Sequence, residues 1–300
     1  MIWQLKIHSP SAHSLAIVLD SLNLPEGASI TIFDQNLNQS IVSYTSTYNT
    51  LSTLTTPNIT GNSLYIELVC PKDKIGEPLL IFKEIIHDYR GVFAEKGFEV
   101  APILPCHIDI NCPEGDDWQT HKKSVTMMSY SYTANSIFFG LFRDKRSGIS
   151  TGAMINNTKF DGKPYFLTAE HNLDLDNLDK YIANIVFYFD YENENCNGNK
   201  FSFENTIVGA SLKALNKYSD FALLELSTKV PSSYFPYFAG WNRVEDNVTH
   251  GIGIHHPKGN PKKISFANNL ILPNSSDIYL GGNRIFYTNS VWKVNYDNQS

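Results

Sequence analysis

The sequence predicts an all-β fold, and three observations carry that expectation. β-branched and aromatic residues are plentiful, with 16 Tyr and 18 Phe, and such side chains fit a pleated, half-buried surface. Turn residues (Asn, Gly, Pro, Asp, Ser) recur roughly every ten residues, the spacing of short strands joined by tight connections. The apolar residues fall in short or alternating runs, none of them long enough to cross a bilayer as a helix. A length of 300 residues is enough for two domains with cores of their own.

Residues 1–98 form the first predicted unit. Apolar residues alternate at Trp3-Leu5-Ile7, Leu15-Ile17-Leu19, Ile30-Ile32, Leu64-Ile66-Leu68 and Leu79-Ile81. Ser-Pro, Pro-Glu-Gly, Asn-Ile-Thr-Gly-Asn and Gly-Glu-Pro turns separate them. This is the pattern of a small β-sandwich, and no catalytic constellation stands out in it. Residues 99–115 lack any period and carry Pro102, Pro105 and Pro113, so they read as a linker followed by an arm. Residues 116–300 form a second unit. Its strands are expected near 125–133, 136–142, 149–155, 165–169, 182–189, 206–215, 221–226, 251–255 and 262–266, with a helical turn near 118–123.

Net charge is −6 with no basic block, which argues against nucleic acid and anionic membrane as partners. The four cysteines (Cys70, Cys106, Cys112, Cys196) show no Cys-x-x-Cys spacing, so a disulfide or two in an oxidising compartment fits better than zinc. Met1 runs directly into Trp3-Gln4-Leu5-Lys6-Ile7, a strand pattern and not a leader.

The informative stretch is Tyr165-Phe166-Leu167-Thr168-Ala169-Glu170-His171. A short apolar strand ends on a histidine, and such a histidine serves catalysis only when a carboxylate holds its ring and a nucleophile faces it. The partner candidate is Asp220, which opens the apolar strand Phe221-Ala222-Leu223-Leu224-Glu225-Leu226. A third stretch, Gly251-Ile252-Gly253-Ile254-His255-His256-Pro257, holds paired histidines with no carboxylate at ligand spacing, so no metal or cofactor is expected.

Taken as an ordered set, these pieces resemble the lysyl-endopeptidase family of secreted bacterial trypsin-like serine proteases. The matching pieces are Cys106-x-Ile108-Asp109-x-x-Cys112-Pro113-Glu114-Gly115, Thr151-Gly152, Asn156-Asn157, Tyr165-Phe166-Leu167-Thr168-Ala169-x-His171, Ser219-Asp220-Phe221-Ala222-Leu223-Leu224-Glu225-Leu226, Ala239-Gly240-Trp241 and Ile254-His255-His256-Pro257. The first unit is similar to the β-rich pro-region of that family through Trp3 to Ser9, Leu24-Pro25-Glu26-Gly27-Ala28 and Tyr89-Arg90-Gly91. The resemblance implies a β-sandwich-like pro-domain followed by a trypsin-like double β-barrel. It implies His171 as general base, Asp220 as its orienting carboxylate and Cys112–Cys196 as a disulfide. It also implies protein or peptide substrates cut after lysine, a zymogen whose pro-domain packs on the protease domain, and secretion with the signal peptide outside the given residues. A lysine preference would make the Lys96-Gly97 bond a processing site.

The sequence departs from the family in three places. The nucleophilic serine and the rest of the second barrel are expected beyond Ser300, so these 300 residues by themselves should be inactive. The positions of one family disulfide hold Ser150 and Asn172. Cys106 lacks its family partner. The alternative reading is a non-catalytic protease-fold module for binding or export.

Overall fold

The computed structural model describes residues 1–34, 40–49, 53–89, 91, 104–135, 143–173, 178–242, 248–269, 271–280 and 284–297. Lys96, Gly97 and the strand expected at 136–142 lie outside the described residues.

The N-terminal part is built from eight strands: β1 (Ile2–His8), β2 (Ser14–Asn23), β3 (Ser29–Phe33), β4 (Ser40–Thr45), β5 (Leu54–Thr55), β6 (Ile59–Thr60), β7 (Ser63–Val69) and β8 (Leu79–Asp88). They form two sheets. One runs β1-β7-β3-β4; in the other, β2 pairs with the short β5 and β6 on one edge and with β8 on the other. Because strand side chains alternate, Leu15, Ile17 and Leu19 of β2 face Ile30 and Ile32 of β3 and Leu64, Ile66 and Leu68 of β7 across a shared core. The sequence pattern found β1, β2, β3, β7 and β8. It missed β4, β5 and β6, two of which are only two residues long and carry no period.

The following arm carries β9 (Ile108–Asp109) and the 3₁₀ turns Pro113–Trp118 and His121–Ser124. Then come β10 (Val125–Asn135), β11 (Arg143–Ile155), β12 (Tyr165–Thr168), α1 (Leu178–Ile182), β13 (Val186–Tyr188), β14 (Thr206–Val208), β15 (Ala210–Asn216) and β16 (Phe221–Leu226). The start of the strand expected at 182–189 is the end of α1, whose Tyr181 and Ile182 reach the barrel core.

These seven strands lie in one antiparallel sheet, β14-β13-β10-β11-β12-β16-β15. Its two end strands are consecutive in sequence and meet at Gly209, which has φ +82°. The Gly209 N–H donates to Ile185 O, and its carbonyl accepts from Ser227 N–H. One bent strand therefore joins both edges and closes the sheet into a barrel. A side chain at Gly209 would meet Ala183 O at 3.0 Å and would have to adopt a left-handed backbone. Met128, Met154, Phe166, Phe187, Ile207, Leu224 and their neighbours fill the interior.

Beyond the barrel lie β17 (Gly251–His255) and β18 (Lys263–Ala267), with β9 of the arm paired to β18. Two ribbons follow: β19 (Leu272–Pro273) with β22 (Trp292–Lys293), and β20 (Ile278–Leu280) with β21 (Arg284–Phe286). Among the described residues these three sheets do not join, so a second barrel is left incomplete.

Candidate active site

Strand pairing brings His171 and Asp220 together. β12 and β16 are antiparallel neighbours with Thr168 opposite Ala222. His171 lies three residues beyond Thr168 and Asp220 two residues before Ala222, so both fall at the same end of the pair. The chain turns into β16 at Asn216, whose Oδ1 accepts from the N–H groups of Tyr218 (2.8 Å) and Ser219 (3.1 Å). Asp220 itself has φ +49°, a left-handed conformation that aspartate tolerates better than most residues.

Both carboxylate oxygens of Asp220 are committed to His171. Oδ2 lies 2.6 Å from Nδ1 of the ring, and Oδ1 accepts the His171 backbone N–H at 2.9 Å. An ionised carboxylate only accepts, so Nδ1 carries the proton and Nε2 is left as the basic nitrogen. The Asp220 side chain is 10% exposed and that of His171 is 45% exposed, so the pair offers a bare Nε2 to solvent from a sheltered mount. Among the described residues, no hydroxyl or thiol hydrogen-bonds Nε2. Chemically, an imidazole held in this way can accept a proton from an O–H or S–H group at Nε2.

The histidine turn is braced from below. Asn172 Nδ2 donates to Thr168 Oγ1 at 3.0 Å, Thr168 Oγ1 donates to Thr151 O at 3.1 Å, and Tyr181 OH donates to Asn172 O. Asn172 is buried at the position where the family resemblance expects half of a disulfide. Sequence reasoning missed Thr168, Tyr181 and this role of Asn172; the only signal was Asn172 following His171 directly. Gly152 lets β11 lie on the Phe166 ring. A Cβ there would sit 2.4 Å from Phe166 Cζ and 2.5 Å from Leu167 O.

The other singled-out pieces gather around the same strands. Ala239 N–H donates to Met154 O and Asn156 N–H donates to Ala239 O, docking Ala239-Gly240-Trp241 on the end of β11. The paired histidines diverge. His256 donates its backbone N–H to Thr151 Oγ1 at 3.1 Å and is buried against Tyr191, whose carbonyl lies 3.2 Å from Nε2. A carbonyl only accepts, so Nε2 holds the proton and Nδ1 is bare and unpartnered. Burial first, then the Lys262 charge, holds the His256 ring well below its ordinary value. His255 instead pairs with His107 at 3.1 Å.

Lys262 and Lys263 are also internal. Lys262 donates to Lys122 O (2.9 Å) and meets Glu192 at 3.3 Å, while Lys263 meets Asp109 at 3.2 Å. Burial raises the Glu192 carboxyl, but the Lys262 charge and the Lys122 contact outweigh it and leave Glu192 below its ordinary value. A polar cleft of about 590 Å³ opens beside this network, between Asn111, Gln119, Lys122, Glu192 and Asn193. It contains neither His171 nor Asp220 in its lining, and its walls are occupied by ion pairs. Cys112 and Cys196 are bridged, with Cα atoms 4.3 Å apart, tying the arm to the loop after β13. Cys70 and Cys106 are buried thiols.

A family model described as the C-terminal domain of lysyl endopeptidase matches residues 104–298. The chain belongs to the lysyl endopeptidase family. A lysyl endopeptidase of Pseudomonas aeruginosa is 24% identical to it over 226 residues, covering 71% of this chain and 45% of the relative. The chain thus spans less than half the length of that relative. A solved structure of the Rv3671c protease from M. tuberculosis in its active form aligns over 66% of this chain and 69% of its own at 14% identity, with a TM-score of 0.35. The stretch matched to the lysyl endopeptidase family includes the His171–Asp220 pair, the bridge and the docked Ala239 segment.

Proposed function

We propose that this lysyl endopeptidase family chain is the pro-domain and first barrel of a secreted serine endopeptidase. His171 acts as general base and Asp220 orients it, and sequence outside these 300 residues supplies the nucleophilic serine. One observation carries the reading: both oxygens of Asp220 hold His171 by its ring and by its backbone, leaving Nε2 basic and exposed. In the mechanism, Nε2 takes the serine hydroxyl proton as the oxygen attacks the peptide carbonyl. It then returns that proton to the leaving amine as the acyl-enzyme forms. Asp220 stays ionised and stabilises the imidazolium in between. Protein or peptide substrates cut after lysine follow from the family name, and no cofactor is needed for acyl transfer.

The test compares this 300-residue chain with the product of the longer reading frame on matched lysyl, arginyl and leucyl peptide amides. The longer product should cleave the lysyl substrate and bind a fluorophosphonate at one serine. The 300-residue chain should fall short by roughly 10⁶ in rate, the usual effect of a missing nucleophile. Equal activity of the two, or cleavage without preference for lysine, would refute the corresponding part. The binding or export module is the second reading, and an authentic stop after Ser300 in the gene would favour it.

A further inference from the structure

Strands β13 and β14 and the first part of β10 bury side chains on both faces. Their inward residues Met128, Phe187 and Ile207 fill the barrel. Their outward residues Met127, Val186, Tyr188 and Val208 are buried as well, and they belong to one continuous core with Leu15, Ile17, Leu54 and Ile59 of the N-terminal sandwich. An outward face that met water would carry polar residues in alternation. Here Met127, Val186, Tyr188 and Val208 are as buried as the interior, and the two polar residues that share their face, Ser129 and Thr206, are buried with them.

Three hydrogen bonds cross this seam. Thr55 Oγ1 donates to Asn184 Oδ1 at 2.8 Å, and Asn184 Nδ2 donates to Thr53 Oγ1 at 2.7 Å. The Asn58 N–H donates to the Tyr188 hydroxyl at 3.2 Å, in full burial. The packed surface extends to Ile149 of β11, yet with the sandwich in place the His171 side chain is still 45% exposed, so the sandwich does not cover it.

We propose that residues 1–91 are a resident, non-covalent subunit of the barrel and not a plug in its site. They stay seated on the β10–β13–β14 wall after the backbone between 91 and 104 is cut, and they leave the His171 end open. Release would return apolar side chains of the barrel wall to water and break the Asn58–Tyr188, Thr55–Asn184 and Asn184–Thr53 hydrogen bonds. The one disulfide joins Cys112 to Cys196, both on the barrel side, and Cys70 and Cys106 are unbridged, so only non-covalent packing holds the cut halves together. The inference rests on packing and goes beyond the catalytic assignment, which could fail without affecting it.

The experiment inserts a site-specific cleavage sequence between residues 91 and 104 of the 300-residue chain and cuts to completion. The product is then sized by light scattering on a non-denaturing column. The expected result is one particle with the mass of the uncut chain, 33.8 kDa plus the insert. Separation of the two halves overturns the proposal. Tyr188→Phe removes the acceptor of the Asn58 N–H and should raise the dissociation constant of the cut pair roughly five-fold. An unchanged constant would mean that the assigned wall is not what holds the halves together. Diethyl pyrocarbonate should modify His171 at the same rate before and after cutting. Faster modification after the cut would make the sandwich a plug and overturn the open-site half of the claim.

Discussion

The closed barrel of β10 to β16 and the segment of β17 to β22 both consist of short apolar strands, yet they treat their apolar residues differently. In the barrel, Met128, Met154, Phe166 and Leu224 are wholly buried. In the later segment, Leu272, Tyr279, Tyr287 and Trp292 are about half exposed or more. The difference lies in closure. Gly209 joins the two edges of one sheet, so every inward residue meets another from across the barrel. The three-stranded sheet still buries Ile264 and Ala267, but the edges of the two ribbons find no partner among the described residues, and it is the apolar side chains of the ribbons that face water.

Substitutions in the two regions sharpen this contrast most. Phe166→Ala empties the centre of the barrel, where the ring packs edge-on against Phe187, and should lower unfolding free energy by about 3–5 kcal/mol. Trp292→Ala, in a ribbon, should change it by less than about 0.5 kcal/mol. Urea unfolding of both variants checks this, and comparable losses would mean that the ribbons share the barrel's cooperativity.

Acidification should act next, through the residues that join the regions. His256 sits between β17 and the barrel, and burial holds its folded pKa well below the unfolded value. Between those two values the unfolded chain binds the extra proton and the folded chain does not, so stability falls as pH drops below about 6.5. His255 and His107 are lowered by burial too and add in the same direction. Glu192, held below its ordinary value, continues the loss at more acid pH as its folded carboxylate is protonated. His256→Gln should flatten the slope between pH 7 and 5 by up to about one bound proton. A slope equal to the parent's would remove His256 from the account.

The smallest global effect is expected at Asn274. Its Oδ1 accepts from the N–H groups of Ser290 (3.0 Å) and Val291 (3.1 Å), and its Nδ2 donates to Ser276 O (2.9 Å) and Tyr287 O (2.8 Å). Asn274→Ala should speed amide exchange at Ser290 and Val291 while leaving exchange across 125–226 unchanged. Faster exchange throughout the barrel would mean that ribbon and barrel open as one unit.

How far the sequence reached depends on what each feature requires. The alternation in β1, β2, β3 and β7 and the apolar strands leading to His171 and from Asp220 are local, so the pattern showed them. The Asp220 carboxylate, the Asn216 turn before it and the strand after it lie within a few residues. Burial of both faces of β10, β13 and β14 was invisible, since Met127, Val186, Tyr188 and Val208 are simply apolar until their cover is placed. The Thr168–Asn172–Tyr181 brace and the closure at Gly209 depend on contacts across turns and strands that no period encodes. Paired histidines looked alike in sequence, yet one is buried against Tyr191 and the other faces His107.

The central claim is that Asp220 holds His171 in the tautomer that leaves Nε2 basic for catalysis. The measurement is kcat/KM on a lysyl peptide amide for the longer gene product carrying Asp220→Asn, beside the parent. An amide in place of the carboxylate favours the wrong tautomer, so the account predicts a fall of about 10⁴, carried by kcat with KM little changed. A fall of less than about tenfold, or one carried by KM alone, would contradict it.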